Sequence, residues 1–227
     1  MTATVLAIVR PRDGDVDALC AHLRALRDND RVPIETSRAE AHLPGVAAPS
    51  GLGAGALTWE CTTDHAARGL LAHPVVIATL QGADVASAVT LLPLASGHVE
   101  TPSPLVKRTL LLRVRPDAST ADRERFEADL AAMPEHISTI RSWRLSRVAG
   151  TGVDRERWTH AWEQEYETLD GLTGEYMLNP FHWTTVDAWF DAEVPHRIVE
   201  PELAHLFTER DRPWSREELE LAPPPTS

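Results

Sequence analysis

Apolar positions recur along this chain with two periods, and the order of those periods repeats. The run "ATVLAIVRP" (3–11) is short, apolar and β-like. After Asp13-Gly14 comes "DVDALCAHLRALRD", in which Val16, Leu19, Leu23 and Leu26 fall at helical spacing. A strand followed by an amphipathic helix is expected. The same order returns in "KRTLLLRVRPD" and "STADRERFEADLAAM", where Ser119 stands as an N-cap and Phe126, Leu130 and Met133 form one apolar stripe. The echo continues: Trp59-Glu60 answers Trp162-Glu163, and His73-Pro74 answers Asn179-Pro180.

A repeat of about 100 residues is too long for a solenoid unit and suits a duplicated domain. Each copy is expected to run strand, helix, strand, strand, helix, then a last element. The fold class is therefore α+β: two copies in tandem, each an antiparallel sheet with helices on one face. The other sheet face is expected to be apolar and to need a cover, which the opposite copy supplies in an intrachain pseudo-dimer. Pro102 and Pro104 in "SGHVETPSPLVK" place the joint near residue 102. The domains are then 1–102 and 103–211, with 212–227 as a tail whose end, "ELELAPPPTS", is expected to fray. "HLPGVAAPSGLGAG" reads as a loop.

The formal charge of -12, from 34 acidic and 22 basic residues, is spread along the chain and argues against nucleic acid or an anionic membrane as partner. A small molecule or another protein fits better. Two cysteines without a CxxC imply neither a disulfide framework nor a cysteine zinc site and suit a reducing cytoplasm. No signal-peptide pattern and no long apolar run stands out, so a soluble, unexported protein is expected. The ten histidines include no HExxH, and "GLGAG" lacks a following helix, so neither a metal nor a bound nucleotide is implied.

The candidate chemistry lies in the second half. Alternation along "RWTHAWEQEY" puts Trp158, His160, Trp162, Gln164 and Tyr166 on one strand face. On "KRTLLLRV" it puts Arg108 beside Leu110, Leu112 and Val114, either at a wet strand end or facing an anion. In "EYMLNPFHWTTVDAWF", Leu169, Leu172 and Tyr176 share one stripe, while His182, Val186 and Trp189 share the next, which starts at Asn179-Pro180. Tyr176 and His182 then meet in one corner, as an acid/base pair or as satisfied core groups, and Asn179 serves as a helix cap or lines a pocket.

"KRTLLLRVRPDAS", "RWTHAWEQEY", "YMLNPFHWTTVDAWFD" and "VPHRIVEPELAHLF", with Pro180, His182, Val186-Asp187, Trp189-Phe190-Asp191, Ile198-Val199 and His205, resemble the stress-responsive A/B barrel (Dabb) domain. That family belongs to the dimeric α+β barrel group of ferredoxin-like domains. The resemblance spans residues 107 to about 208. It implies general acid/base chemistry without metal or redox cofactor, as in a polyketide cyclase of the family, with catalytic roles for Tyr176, His182 and His160. Arg108 and Asn179 depart from the histidines usual at those places, so that cyclase's substrate is not carried over. The first copy has Leu57 where His160 stands and Val76 where His182 stands, so any site belongs to the second half. The expected activity is a cyclase, lyase or isomerase acting on a polyketide-like or other carbonyl-bearing metabolite. Arg108 and Asn179 would contact the substrate, and Trp158, Trp162, Phe181 and Trp183 would wall the pocket. Two rivals stand beside it: a cofactor-independent monooxygenase of aromatic polyketides, and a ligand-binding protein whose corner residues only pack. Haem binding, known elsewhere in the barrel group, and a homodimer beyond the intrachain pairing stay open.

Overall fold

A computed structural model describes residues 3–43, 56–101, 105–154 and 158–219. The first half runs β1 (Ala3–Pro11), α1 (Val16–Ala25), β2 (Ile34–Ala41), β3 (Leu57–Thr63), α2 (Ala67–Leu71), α3 (Pro74–Thr79) and β4 (Ala83–His98). The second runs β5 (Leu105–Leu112), α4 (Thr120–His136), β6 (Ser142–Asp154), β7 (His160–Tyr166), α5 (Leu169–Gly171) with the helical turns after it, β8 (Ala204–Arg210), and then α6 (Arg216–Leu219). The β-α-β-β-α-β order occurs twice, as the periodicity predicts. The expected joint near residue 102 and most of the expected loop at 42–55 lie outside the described residues.

Caps and stripes match the local sequence. Asp15 accepts from the Ala18 N–H at 2.9 Å at the start of α1, and Ser119 accepts from the Asp122 N–H at 3.0 Å at the start of α4. Leu19, Leu23 and Leu26 are buried, as are Phe126, Leu130 and Met133.

All eight strands form one antiparallel sheet in the order β2-β3-β1-β4-β6-β7-β5-β8. Strand β4 joins the halves through β6, from Ser87↔Asp154 to His98↔Ser142. Gly97 lies opposite Trp143 there, and a Cβ at Gly97 would collide with the indole. At the other end His42 bridges Thr208 and the Leu43 N–H donates to the Phe207 carbonyl at 2.8 Å. The two ends of the sheet thus meet and close it as a barrel.

The helices lie outside, over two apolar cores. Val5, Leu23, Leu57, Trp59 and Val76 belong to the first, and Leu112, Phe126, Leu130, Trp162 and Trp189 to the second. The inner face departs from the apolar expectation. One part is apolar, with Leu6, Ile8, Val89, Leu111 and Leu206. The other is an ion lattice, because alternation turns Glu60, Lys107, Arg144, Glu163, Glu165 and Arg210 inward. Lys107 pairs with Glu60 (2.6 Å) and Glu163 (2.7 Å), and Arg144 with Glu163 (2.6 Å) and Glu60 (2.9 Å). Arg210 pairs with Glu40 (2.8 Å), Glu165 (2.9 Å) and Glu60 (3.0 Å). Burial alone would raise the Glu60 carboxyl, but Lys107, Arg144 and Arg210 hold it well below the usual range.

The expected tail is corrected for residues 212–219. Trp214, 1 % exposed, sits with Lys107, Arg210 and Arg144 at 4.6, 4.7 and 5.1 Å from its ring, and its backbone N–H donates to the Glu165 carboxylate. Glu218 pairs with Arg38 at 2.5 Å, and Leu219 is buried. Three buried cations against an indole face are reason enough for this segment to pack.

Removing one member of the lattice leaves its partners buried and uncompensated, so Glu60→Ala should cost about 3–5 kcal/mol. Trp214→Ala should cost a similar amount, about 3–5 kcal/mol, through the lost ring volume. Urea unfolding measures both. A loss below about 1 kcal/mol for Glu60→Ala, the range of an exposed pair, would show that the lattice does not hold the halves together.

Candidate functional site

Between the second half's helical layer and the outer face of β5, β7 and β8 lies a cavity of about 240 Å³. Its walls include Arg108, Leu110, Trp162, Tyr176, His182 and His205, with Asp187 also lining it. Arg108 comes from mid-β5, where pairing with Gln164 and Phe207 keeps it from any strand end; at 5 % exposure, the wet-end reading is overturned. His205 comes from β8, opposite Leu110.

Tyr176 and His182 stand on two successive stretches of wide, π-type winding, Leu172–Tyr176 and His182–Val186, a local irregularity often found at functional positions. Between them Asn179 acts as the joint. Its Oδ1 accepts from the Phe181 N–H at 2.9 Å, and its Nδ2 donates to the His136 carbonyl at 2.8 Å, the last residue of α4. His73 of the first half caps α3 in the same way, its Nδ1 accepting from the Val75 N–H.

Within the corner, Arg108 Nη1 donates to Gln164 Oε1 (2.7 Å) and to the Tyr176 hydroxyl (2.8 Å), with the guanidinium 5.0 Å from the Tyr176 ring. The Tyr176 and His182 rings lie 4.6 Å apart. His182 Nε2 is 3.5 Å from Asp187 Oδ1, while His182 Nδ1, His205 Nε2 and Trp162 Nε1 are buried without a partner. Burial lowers the His182 imidazole, with Arg108 adding to the effect and Asp187 opposing it. Burial, again helped by Arg108, lowers His205 to about 3. Both imidazoles are therefore neutral at neutral pH. Burial raises the Asp187 carboxyl.

The structure brings together Arg108, Trp162, Tyr176 and His182 of the expected set and sets the others apart. His160 is corrected. It shares the outer face of β7, but its Nε2 bonds Glu127 Oε1 of α4 at 2.9 Å, its Nδ1 bonds Thr159 Oγ1 at 2.8 Å, and Phe126 packs edge-on at 5.7 Å. It lies two positions beyond Trp162, away from the cavity. Trp158 is corrected too. Regular pairing starts only at His160, so Trp158 turns to the barrel interior and donates to Ser87 Oγ at 3.2 Å. Asn179 caps; Phe181 stacks on His136 at 4.0 Å; Trp183, 56 % exposed, donates to the Met177 carbonyl. None of these three lines the cavity. His205 and Asp187 enter the site beyond the residues expected, although the alternation Ala204/Leu206 inward and His205/Phe207 outward was readable in "AHLF".

The first half shows what the same corner looks like without a site. Glu60 faces Leu6 and Glu163 faces Thr109, so Val5 is the counterpart of Arg108 and Ala88 that of His205. The shared helix joint makes Leu70 and Val76 the counterparts of Tyr176 and His182. Val5, Ala88, Leu70 and Val76 are all fully buried in one apolar core.

The fold and cavity define a class: a tandem ferredoxin-like pair closed as an α+β barrel, with a polar pocket under the helices of one half. Residues 106–200 are similar to the family model of the "Stress responsive A/B Barrel Domain". No curated protein matches the sequence. Among solved structures, an "anthrone oxidase-like protein" superposes at TM-score 0.60 with 8% identity, over 92% of this chain and 90% of that one. A mutant chlorite dismutase from Candidatus Nitrospira defluvii superposes at 0.57 with 9% identity, over 91% and 90%. A putative monooxygenase from Lactobacillus acidophilus superposes at 0.53 with 9% identity, over 92% and 96%. At such identities the likeness shows the fold alone. Among the described residues no group of three or more His, Cys, Asp or Glu side chains is placed to hold a metal ion, and no helix is long and apolar enough to cross a membrane. A porphyrin is larger than this cavity, which falls below the ~300–1,000 Å³ of pockets for drug-sized ligands.

Because the folded state holds His205 and His182 below their ordinary value, the unfolded chain binds more protons under pH 6.5. The stability they contribute is complete above about pH 6.5 and is lost as pH falls toward their folded values. Between pH 7 and 5 the loss at His205 should be on the order of 1–2 kcal/mol. Urea midpoints at the two pH values check this: His205→Gln should shrink the difference, and an unchanged difference would refute the assignment.

Proposed function

We propose that the second half houses a small-molecule enzyme that works by general acid/base chemistry on a carbonyl-bearing compound, as a cyclase, lyase or isomerase, with its own side chains as acid and base. The observation that carries this reading is the contrast between the halves: Val5, Leu70, Val76 and Ala88 build a complete core, so Arg108, Tyr176, His182 and His205 at the same places serve something other than folding. Polar groups put into a core position at that cost point to chemistry.

Each group has a distinct part. Asp187 beside Nε2 orients His182 as the tautomer protonated there, which leaves the Nδ1 lone pair as a base for the proton next to the carbonyl. The Tyr176 hydroxyl accepts from Arg108, so its own proton is available to the substrate oxygen. The pair then stabilises the enolate as charge develops on that oxygen. Proton return from His182 to another carbon or to a leaving oxygen completes an isomerisation or elimination. Attack of the enolate on a second carbonyl, with the proton on His182 passing to the new alkoxide, completes a cyclisation.

The test follows α-proton exchange in D2O by NMR with small methyl ketones, with and without a carboxyl group. The protein should accelerate exchange, and His182→Ala should lower it by about 10²–10⁴-fold in a variant that still unfolds cooperatively. His160→Gln should keep the exchange and lose stability. Retained exchange in His182→Ala would sink the proposal. Oxygen uptake with a quinol, abolished by the same substitution, would transfer the site to the monooxygenase reading.

A further inference from the structure

We propose that the cavity is an anion site: the compound bound there carries a carboxylate, or an equally acidic oxygen, before any reaction begins, and Arg108 is the residue that selects it. The inference rests on the reading of the cavity as a substrate site and adds the substrate's charge class.

The argument starts from the company Arg108 keeps. A guanidinium 5 % exposed almost always has a carboxylate against it. Inside the barrel that rule holds for Arg144 and Arg210, each paired with at least two glutamates. Arg108, on the opposite face of the same sheet, donates among the described residues to neutral acceptors, Gln164 and Tyr176, and the Tyr166 phenol that it also faces is neutral. Among the described residues no carboxylate lies within 4 Å of it. The one carboxylate on the cavity wall, Asp187, is turned to His182 and has a side chain 40 % exposed. Both imidazoles on the wall are neutral at neutral pH and add no competing charge.

A charge so placed is costly unless a ligand supplies its partner, and the planar fork suits bidentate capture of a carboxylate. The rest of the lining is apolar, with Leu110, Leu130, Trp162, Val186 and Phe190. About 240 Å³ limits the guest to roughly a single ring or short chain behind its charged end. The class is a small aryl or alkyl carboxylate, its acid group on Arg108 and its reactive carbon toward His182.

Isothermal titration at pH 7.5 with benzoate and its neutral isostere benzamide tests this without turnover. Benzoate should bind saturably and at least ten-fold more tightly than benzamide. Arg108→Gln should lose that preference, and Arg108→Lys should keep part of it. If Arg108→Gln does not fold, the isostere comparison and the lysine variant still decide. Equal binding of the two isosteres, unchanged benzoate binding in Arg108→Gln, or no binding below about 10 mM across the series formate, acetate and benzoate would overturn the proposal. Benzoate binding without ketone exchange would reject the enzyme reading alone, and exchange on neutral ketones without anion binding would reject this inference alone.

Discussion

The ion lattice inside the barrel is the constraint on which the rest depends. Its acids come from both halves and its bases from the second: Glu60 of the first half is met by Lys107, Arg144 and Arg210 of the second. A hydrophobic interface would tolerate sliding; this one does not. A one-residue slip of β5 or β7 would turn these charges outward into the helix-covered core and bring Arg108 or Trp162 inward. The lattice therefore fixes register across the joint as well as contact. Buried ion pairs add little net stability over an apolar filling, but they penalise every wrong pairing heavily. Within the lattice four carboxylates face three cations, and at Glu165 burial outweighs Arg210 and raises the carboxyl.

Fixing the inner face leaves the outer faces free to diverge. Because register is set from within, neither helix-covered core has to be optimal for the barrel to close. The first half filled its core with Val5, Leu70, Val76 and Ala88; the second kept a gap lined by Arg108, Tyr176, His182 and His205. The two corners share a helix joint, His73-Pro74 and Asn179-Pro180, each a side-chain cap followed by proline at the first helical position. Conserved geometry with altered chemistry is what a duplication allows when one copy is enough to hold the scaffold.

Much of this was legible in the chain itself. The β-α-β-β-α-β order, the stripes of α1 and α4, the Trp-Glu echo and the meeting of Tyr176 with His182 all follow from period, caps and repeat. What escaped did so for physical reasons. The inner face was expected to be apolar because "KRTLLL" and "HAWEQEY" show their charges without showing that those charges face one another; only closure brings Lys107 to Glu60 and Glu163. Trp214 lies next to a Pro-rich end whose composition signals disorder, and what orders it is three cations from distant strands. His160 was placed on the correct face, but alternation gives no distance along a strand, and two residues separate a cavity wall from a contact with α4. Trp158 shows the complementary limit, since alternation holds only where pairing is regular.

The position of Arg108 ties these strands of argument together. Along β5 the chain reads Lys107-Arg108-Thr109, two cations in succession, and the pleat sends them to opposite worlds. Lys107 goes inward to two glutamates that the duplication provides. Arg108 goes outward to a core whose other half has valine at the same point, and among the described residues no carboxylate pairs with it. Gln164 and Tyr176 hold this desolvated cation in one orientation. The same desolvation that makes Arg108 costly keeps His182 and His205 neutral, so one low-dielectric corner yields both an electrophilic end and a basic end. That pairing of opposite demands in one environment is a property of the corner and of none of its residues alone.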